Sequence, residues 1–495
     1  MQEGKLPNTN ILAYILAAGL LAGAGLGGCA LGPDFKRPEA PGSAYQQPPS
    51  VGSQTLQPGG DVAADWYALF GSQALDRLVH EALRANPDLE AARHNLRAAQ
   101  FELEAVAGSA LPQVDFSARA ERAKVNGSLL YEPDNTIQVT ANQFSLGPTL
   151  AYDLDVFGRL RRTIEAQAAQ ASSTQRRTLN VYITLVNEVV TTAFDYAATL
   201  EQIQVTRQLI ADLQSQYQLT RLLEDAGKIV RSETLQAQAQ LETTRASLPA
   251  LEKQRDVYRN SLLQLAGKAP QENGVPQITL GDFTLPAQMP VSVPSQLVRQ
   301  RPDILEAEDT LHAASAAIGV AAAARFPSFN LSGQLAQQSI STADLFSRPA
   351  SIWSAGIGVT APLFEGGTLR AREKEARERF SAAQAQYRSV VLGAFVEVQN
   401  TLEALQHDAD DSSAHARALE AAQANRDLAR QQFQQGKVNE LVVLTAEQQY
   451  QNAALGAVQA NVQRFADTAR LFHALGGGWW KAPDDVTKPS DGEGQ

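Results

Sequence analysis

Two stretches of 68 residues, each bounded by glycine, decide most of what this 495-residue chain can become. No Gly or Pro falls between Gly158 and Gly227, and between Gly367 and Gly436 only Gly393 interrupts. With the two strongest helix breakers absent, each stretch predicts one continuous helix. At about 1.5 Å per residue it would run roughly 100 Å, a length no compact domain needs. The two stretches are also copies. Gly158 and Gly367 lie 209 positions apart, as do Gly227-Lys228 and Gly436-Lys437, Phe144-Ser145 and Trp353-Ser354, and more loosely Leu265-Ala266-Gly267 and Ala474-Leu475-Gly476. Upstream, Asn86-Pro87-Asp88-Leu89 and Arg301-Pro302-Asp303-Ile304, like Leu111-Pro112 and Phe326-Pro327, keep an offset of 215. One change of six residues between Pro112 and Phe144 reconciles the two offsets, and loops absorb such changes. The chain is one unit written twice.

Each half has the same order: a helix of about 20 residues (88–106 and 303–324), two strand-like segments, the long helix, a Gly-Lys turn and a return helix. Ala, Gln, Leu and Glu dominate the long tracts, a composition of extended helices with interhelical seams. Leu179, Tyr182, Val186, Val189, Ala193, Tyr196, Leu200 and Ile203 keep the 3–4 spacing of such a seam, repeated by Val391, Phe395, Val398, Leu402, Leu405 and Ala409. The strand-like segments alternate instead with period two. Phe144, Leu146, Leu150, Tyr152, Leu154 and Val156 are interleaved with Ser145, Gly147, Thr149, Asp153 and Asp155. Trp353, Ala355, Ile357, Val359, Ala361 and Leu363 repeat this in the second half, and shorter runs begin at Val114 and at Phe329. Strands of about 10 to 14 residues with one apolar and one polar face suit a membrane β-barrel.

Four strands cannot close a barrel, and hydrocarbon does not tolerate open sheet edges. If the strands sit in a bilayer, and not in a soluble sandwich, the alternative, copies must therefore associate. Two give eight strands, a barrel filled by its own side chains; three give twelve, with a lumen. Twelve helical staves at 9–10 Å spacing make a ring roughly 35 Å across, so three copies fit, and cyclic symmetry is the ordinary way to close a ring.

The first residues are a processing segment. Ile11 to Leu26 form an apolar run of 16, short for a membrane helix and right for a signal-peptide core. Leu26-Gly27-Gly28-Cys29 follows, with small residues before a lone cysteine, as in a bacterial lipobox in which Cys29 is acylated and becomes the first mature residue. Ala30 rather than Asp after it allows outer-membrane sorting. Gly23, Gly25 and Gly28 match G-x-G-x-x-G, but no strand precedes them and the segment is removed, so the dinucleotide reading lacks its context.

Other classes are excluded or lack their residues. Net charge is −11, without the basic excess of nucleic-acid binders. One cysteine excludes an internal disulfide framework and a cysteine-cluster zinc site. The six histidines are scattered without ligand spacing, and no phosphate loop, nucleophile elbow or paired catalytic acids appear. No enzyme, cofactor or metal is expected. Asp153 and Asp155 read as pore-lining, and Arg159, Arg161 and Arg162 as cations at the membrane boundary. The run Asp408, Asp410, Asp411 reads as a solvated face, or as a negative ring lining a duct.

Several motifs resemble the TolC-like outer-membrane efflux family, in its OprM/NodT-type lipoprotein branch. They are Leu31-Gly32-Pro33-Asp34-Phe35-Lys36-Arg37-Pro38, Asp65-Trp66-Tyr67 with Phe70, Asn86-Pro87-Asp88-Leu89, Arg301-Pro302-Asp303-Ile304, Phe326-Pro327 and Pro362-Leu363-Phe364-Glu365-Gly366-Gly367, together covering nearly all the mature chain. The resemblance implies a mainly α chain with membrane β: a homotrimer forming a twelve-stranded β-barrel in the outer membrane, continued by a helical barrel across the periplasm. It implies docking to a periplasmic adaptor and an inner-membrane RND-type pump, which supply the energy. It places adaptor contact and pore closure at the Gly-containing turns. The residues there are Asp225, Gly227, Arg231 and Glu233 on the first hairpin and Phe433, Gly436, Leu441, Thr445 and Gln448 on the second. Relatives often have Tyr, Asp and Arg where this chain has Phe433, Thr445 and Gln448, so closure on the second hairpin is expected to be more apolar than ionic, with Leu441 at the constriction. The same residues would alternatively only pack helix ends.

The expected division is a signal peptide (1–28), a lipid-anchored N-terminal segment (29–85), the first repeat (86–267), a Pro- and Gly-rich linker (268–294), the second repeat (295–476) and a polar tail (477–495). The function expected is a passive exit duct for small molecules. The alternative is a lipid-anchored coiled-coil scaffold without a pore, which has no use for four amphipathic strands.

Overall fold

The structure, a computed structural model, describes residues 30–39, 51–126, 138–272 and 274–482; Cys29 and the segment before it lie outside the described residues. The chain runs β1 (Thr55–Pro58), a 3-10 turn (Trp66–Phe70), α1 (Gln73–Ala85), α2 (Pro87–Gly108), β2 (Gln113–Asn126), β3 (Gln138–Leu154), α3 (Arg159–Asp225), α4 (Arg231–Leu265), β4 (Gln288–Val291), α5 (Pro294–Gln300), α6 (Pro302–Ala323), β5 (Ser328–Ser339), β6 (Ser351–Thr360), α7 (Thr368–Gln434) and α8 (Glu440–Ala474). The repeat is exact in length at the helices. α2 and α6 have 22 residues each, α3 and α7 have 67, and α4 and α8 have 35.

Two compact units emerge, and each draws on both halves of the sequence. One takes the chain up to Arg37, Ala98–Ser172 and Glu308–Gln386; the other takes Pro38–Arg97, Ser173–Ala307 and the chain from Tyr387 on.

In the second unit the repeated N/R-P-D motif is a helix joint. Asn86 Oδ1 accepts the N–H groups of Asp88 and Leu89, both at 3.0 Å, which caps α2. Pro87 is at the first helical position, where its missing N–H costs nothing. The Asn86 amide donates to Leu265 O at the end of α4, at 3.0 Å. In the other half Arg301 donates to Ala474 O, the corresponding last residue of α8, at 2.8 Å. The glycine after each return helix allows the approach. A Cβ on Gly267 would lie 2.1 Å from Ala85 O, and one on Gly476 would lie 3.0 Å from Gln300 O. Arg301 is 8% exposed, and a buried charge must be paired. Asp303 holds it at 2.7 Å and Glu397 at 2.7 Å. Burial pushes the Glu397 carboxyl up, but His473 and Arg301 outweigh it and bring it down to about 2. Around the joint, Trp66 stacks on Phe472 at 5.2 Å, and Phe194 meets Phe70 at 4.9 Å and Phe283 at 4.8 Å. Each ring so buried contributes roughly 1.5–3 kcal/mol.

The seam residues Leu179, Tyr182, Val186, Val189, Ala193 and Tyr196 are buried, as are Val391, Val398, Leu402 and Leu405. Within 268–294, β4 pairs in parallel with β1, Thr55 opposite Gln288 and Val291 opposite Pro58. Four-residue strands carry too short a pattern to be seen in sequence.

The first unit holds an antiparallel sheet in the order β2-β3-β5-β6. Its register collects the alternating residues by kind. Val114 faces Leu150 and Ala120 faces Phe144, Tyr152 faces Leu331, Leu331 faces Ile357 and Leu335 faces Trp353. Asp115, Thr149, Gln334 and Ser354 share the other face. Nothing in the described chain covers the apolar side; Phe116 is 70% exposed and Trp353 76%. The outer strands β2 and β6 each keep one edge unpaired in this sheet. Asp153 and Asp155 both have partners. Arg159 pairs with Asp153 at 3.0 Å, and the Asp155 carboxylate accepts the N–H groups of Leu160 and Arg161 at 2.9 Å, capping α3. Asp408 leaves its acidic run and turns inward, where burial and the Asp467 carboxylate raise its pKa, while Asp410 and Asp411 are exposed.

Close pairing of β3 with β5 depends on one glycine. A Cβ on Gly147 would lie 2.1 Å from Leu335 O, whereas one on Gly356 would meet only Ser332 Oγ at 3.8 Å. Gly147→Val is therefore expected to abolish the folded sheet, and Gly356→Ala to leave it intact, read as folded yield with strand content by circular dichroism. Equal yields would contradict this register.

Candidate functional site

Both Gly-Lys turns end their helices by the same device. Gly227 has φ 68° and Gly436 φ 69°, a conformation that disfavours a side chain. The N–H groups of Gly227 and Lys228 bond to Glu224 O and Leu223 O at 2.8 and 2.9 Å, and those of Gly436 and Lys437 to Phe433 O and Gln432 O at 2.8 and 2.9 Å. This closes the orphan carbonyls and reverses the chain. The second turn is capped again by Asn439, whose Oδ1 accepts the N–H of Val442 at 3.4 Å; Val230, at the matching place, offers no side-chain cap.

Behind the turns the hairpins are packed in two clusters. Leu209 and Leu213 of α3, Ala237 and Leu241 of α4 and Leu444 of α8 form one, with Tyr217 against it. Ala429 of α7 with Val443 and Ala446 of α8 form the other. α8 is thus held on two sides.

The residues singled out in sequence divide between these clusters and the surface. Phe433 is partly buried and packs against Ala429, Val443 and Ala446. Leu441, Thr445 and Gln448 lie on one exposed stripe of α8, with Leu441 51% exposed. The Thr445 hydroxyl is turned back to Leu441 O at 2.7 Å. Asp225 and Arg231 are exposed at the first turn and Glu233 is half-buried. The structure brings Glu233 towards the second hairpin, where its charge acts on Glu440. Leu222, Val230, Leu235 and Val442 add further exposed apolar side chains near the turns.

Two polar ties between the hairpins carry no signal in the sequence. Arg430 of α7 reaches Asp212 of α3 at 2.8 Å and also bonds the Glu447 carboxylate of α8. A cleft of about 240 Å³ between Leu219, Gln216, Phe433 and Val443 opens onto this group. The second tie is Gln216, whose amide nitrogen lies 2.5 Å from both carboxylate oxygens of Glu440. Glu440 is 1% exposed. Burial pushes its carboxyl up to about 7, against the Gln216 hydrogen bond and with the help of Glu233. Partners 218 and 224 positions apart cannot be matched from helix periodicity, because each sits on an ordinary polar position of its own helix.

The raised pKa fixes the sign of a pH effect. The folded state holds the Glu440 proton more tightly than an unfolded chain, so this contribution is fully present below about 4.5 and is lost as pH rises through about 7. From pH 5 to pH 8 the turn region should lose on the order of 2 kcal/mol of local stability. Glu440→Gln should remove most of that dependence. The measurement is amide exchange of the first turns of α8, corrected for intrinsic rates; an unchanged pH slope in the variant would sink the assignment.

Residues 78–268 and 293–477 match the family described as outer membrane efflux protein. The chain is 30% identical over 461 residues to the cation efflux system protein CusC of Escherichia coli O6:H1, covering 92% of this chain and 96% of that one. It is 29% identical over 462 residues to the probable outer membrane lipoprotein SilC of Salmonella typhimurium, again covering 92% and 96%. Among solved structures, the outer-membrane channel OprN superposes with a TM-score of 0.83 at 28% identity, covering 91% of this chain and all of that one.

Proposed function

This chain belongs to the outer membrane efflux protein family and is an outer-membrane efflux channel, and we propose that it works as the passive exit duct of a three-part assembly. The observation that carries this is the sheet. Four strands present one continuous apolar face and two open edges. In a bilayer the apolar face is matched to lipid, but each unpaired backbone group at an edge costs several kcal/mol. Joining β6 of one copy to β2 of the next satisfies both edges, and three copies give a twelve-stranded barrel with a lumen. A scaffold without a pore needs neither the face nor the edges.

In this reading the protein is a homotrimer, acylated at Cys29, needing no cofactor and catalysing no reaction. Its Gly227 and Gly436 turns point into the periplasm, where Leu222, Val230, Leu235 and Val442 offer apolar docking ground to an adaptor protein, and an inner-membrane RND-type pump drives export. Resting closure rests on the Leu441–Thr445–Gln448 stripe of each copy, while Arg430 holds α7 and α8 to α3 through Asp212 and Glu447. Ion pairs near water are weak enough to be exchanged during opening.

The native mass of the detergent-purified protein should correspond to three chains, and bilayer recordings should show single channels; a monomer without conductance overturns the reading. Leu441→Ser and Arg430→Ala should each raise resting conductance several-fold. A channel that forms but shows no rise in either variant removes the gate from these residues and leaves the duct standing.

A further inference from the structure

In the first unit the segment Ala30–Arg37 is fixed along its length. Arg37 pairs with Glu308 at 2.5 Å. The Phe35 ring stacks on His312 at 4.4 Å, and His312 Nε2 lies 3.0 Å from Glu165. The buried Arg162 guanidinium gathers the arm, donating to Asp34 at 2.7 Å and to Leu31 O at 3.1 Å, with Glu165 as its second carboxylate at 2.7 Å. Glycines then let the backbone sink in. A Cβ on Gly32 would lie 2.5 Å from Gly319 Cα, and one on Gly319 would lie 2.6 Å from Leu31 O. Finally Leu31 N–H donates to Phe157 O at 3.2 Å, and Ala30 rests on Gly158, where a Cβ would come within 2.7 Å of its Cα. The arm thus has a direction, from α6 to the junction of β3 with α3.

At that junction lies a groove of about 830 Å³ lined by Leu154, Val156, Phe157, Phe326, Leu363 and Phe364. Phe157 is shared between the two features: its carbonyl holds the arm and its ring, 4.9 Å from Phe326, lines the groove. Leu363 and Phe364 are 95% and 90% exposed. The residue that precedes Ala30 in the sequence is Cys29.

We propose that this groove seats acyl chains carried on Cys29, with Ala30–Arg37 as the strap that delivers them. The proposal rests on acylation of Cys29. Transfer of methylenes out of water favours the seat. The strap restricts where the acylated residue can lie, so less conformational freedom is lost on docking. Aspartates and arginines at the rim, paired as Arg159–Asp153 and Arg161–Asp155, would stand at headgroup level.

The test uses the full-length exported protein in membranes, with p-benzoylphenylalanine in place of Phe364 or, in a second preparation, of Leu363. After irradiation, mass spectrometry should find an adduct within one chain, joining that position to the acylated Cys29 peptide. The adduct should vanish in Cys29→Ala exported by an ordinary cleavable signal. It should fall several-fold in Gly319→Val, which lifts the strap while Cys29 remains acylated. An unmodified Cys29 in the parent protein sinks the lipoprotein reading itself. An acylated Cys29 without the intrachain adduct sinks the groove alone. So does an adduct between two chains, which makes a second copy the occupant, or a phospholipid adduct that persists in Cys29→Ala, which makes it the bulk bilayer.

Discussion

An edge strand carries a row of unpaired N–H and C=O groups that hydrocarbon cannot solvate, and the sheet β2-β3-β5-β6 has two such edges. The register makes the constraint sharper, because it gathers most of the large apolar strand residues on one side, which nothing in the described chain covers. A chain so built is unfinished alone. In water it exposes Trp353, Ile357 and Phe116; in lipid it exposes backbone. In the proposed assembly lipid covers the apolar face and association of copies pairs the edges.

Because of the duplication the same joint is made twice. Asn86 and Arg301 do one job with different chemistry: each reaches across to the last carbonyl of the return helix, Leu265 or Ala474. A neutral amide suffices in the first half. In the second half a buried guanidinium does it, paired with Asp303 and Glu397, at places where the first half also carries acids, Asp88 and Glu188. The asymmetry between the copies is concentrated where one has taken on a charge that the other lacks.

The turn region follows a different balance. Its apolar clusters are small, α8 is held between two hairpins, and polar ties do the rest. Burying Glu440 costs enough to keep its proton near neutral pH, whereas Arg430 keeps two carboxylate partners. Ties of this kind separate more easily than a continuous apolar seam such as Leu179–Tyr196, as the proposed opening at the turns requires.

Helix length, the twofold repeat and the amphipathic strands were all legible in the sequence, since each is set by spacing along the chain: breakers absent for 68 residues, offsets of 209 and 215, and alternation with period two. Family motifs such as Arg301-Pro302-Asp303 were visible too, though not their task. What tertiary structure decided is who meets whom. Phe433 packed against a hairpin cluster and Leu441 went to the surface, Asp155 became a helix cap, and β1 found β4 across more than 200 residues. Arg430, Asp212, Glu440 and Gln216 were unremarkable polar positions until three helices came together. Periodicity reports which face of an element is apolar; it carries no record of the neighbour that face will touch, because that choice is made by packing and by the cost of leaving a buried charge alone.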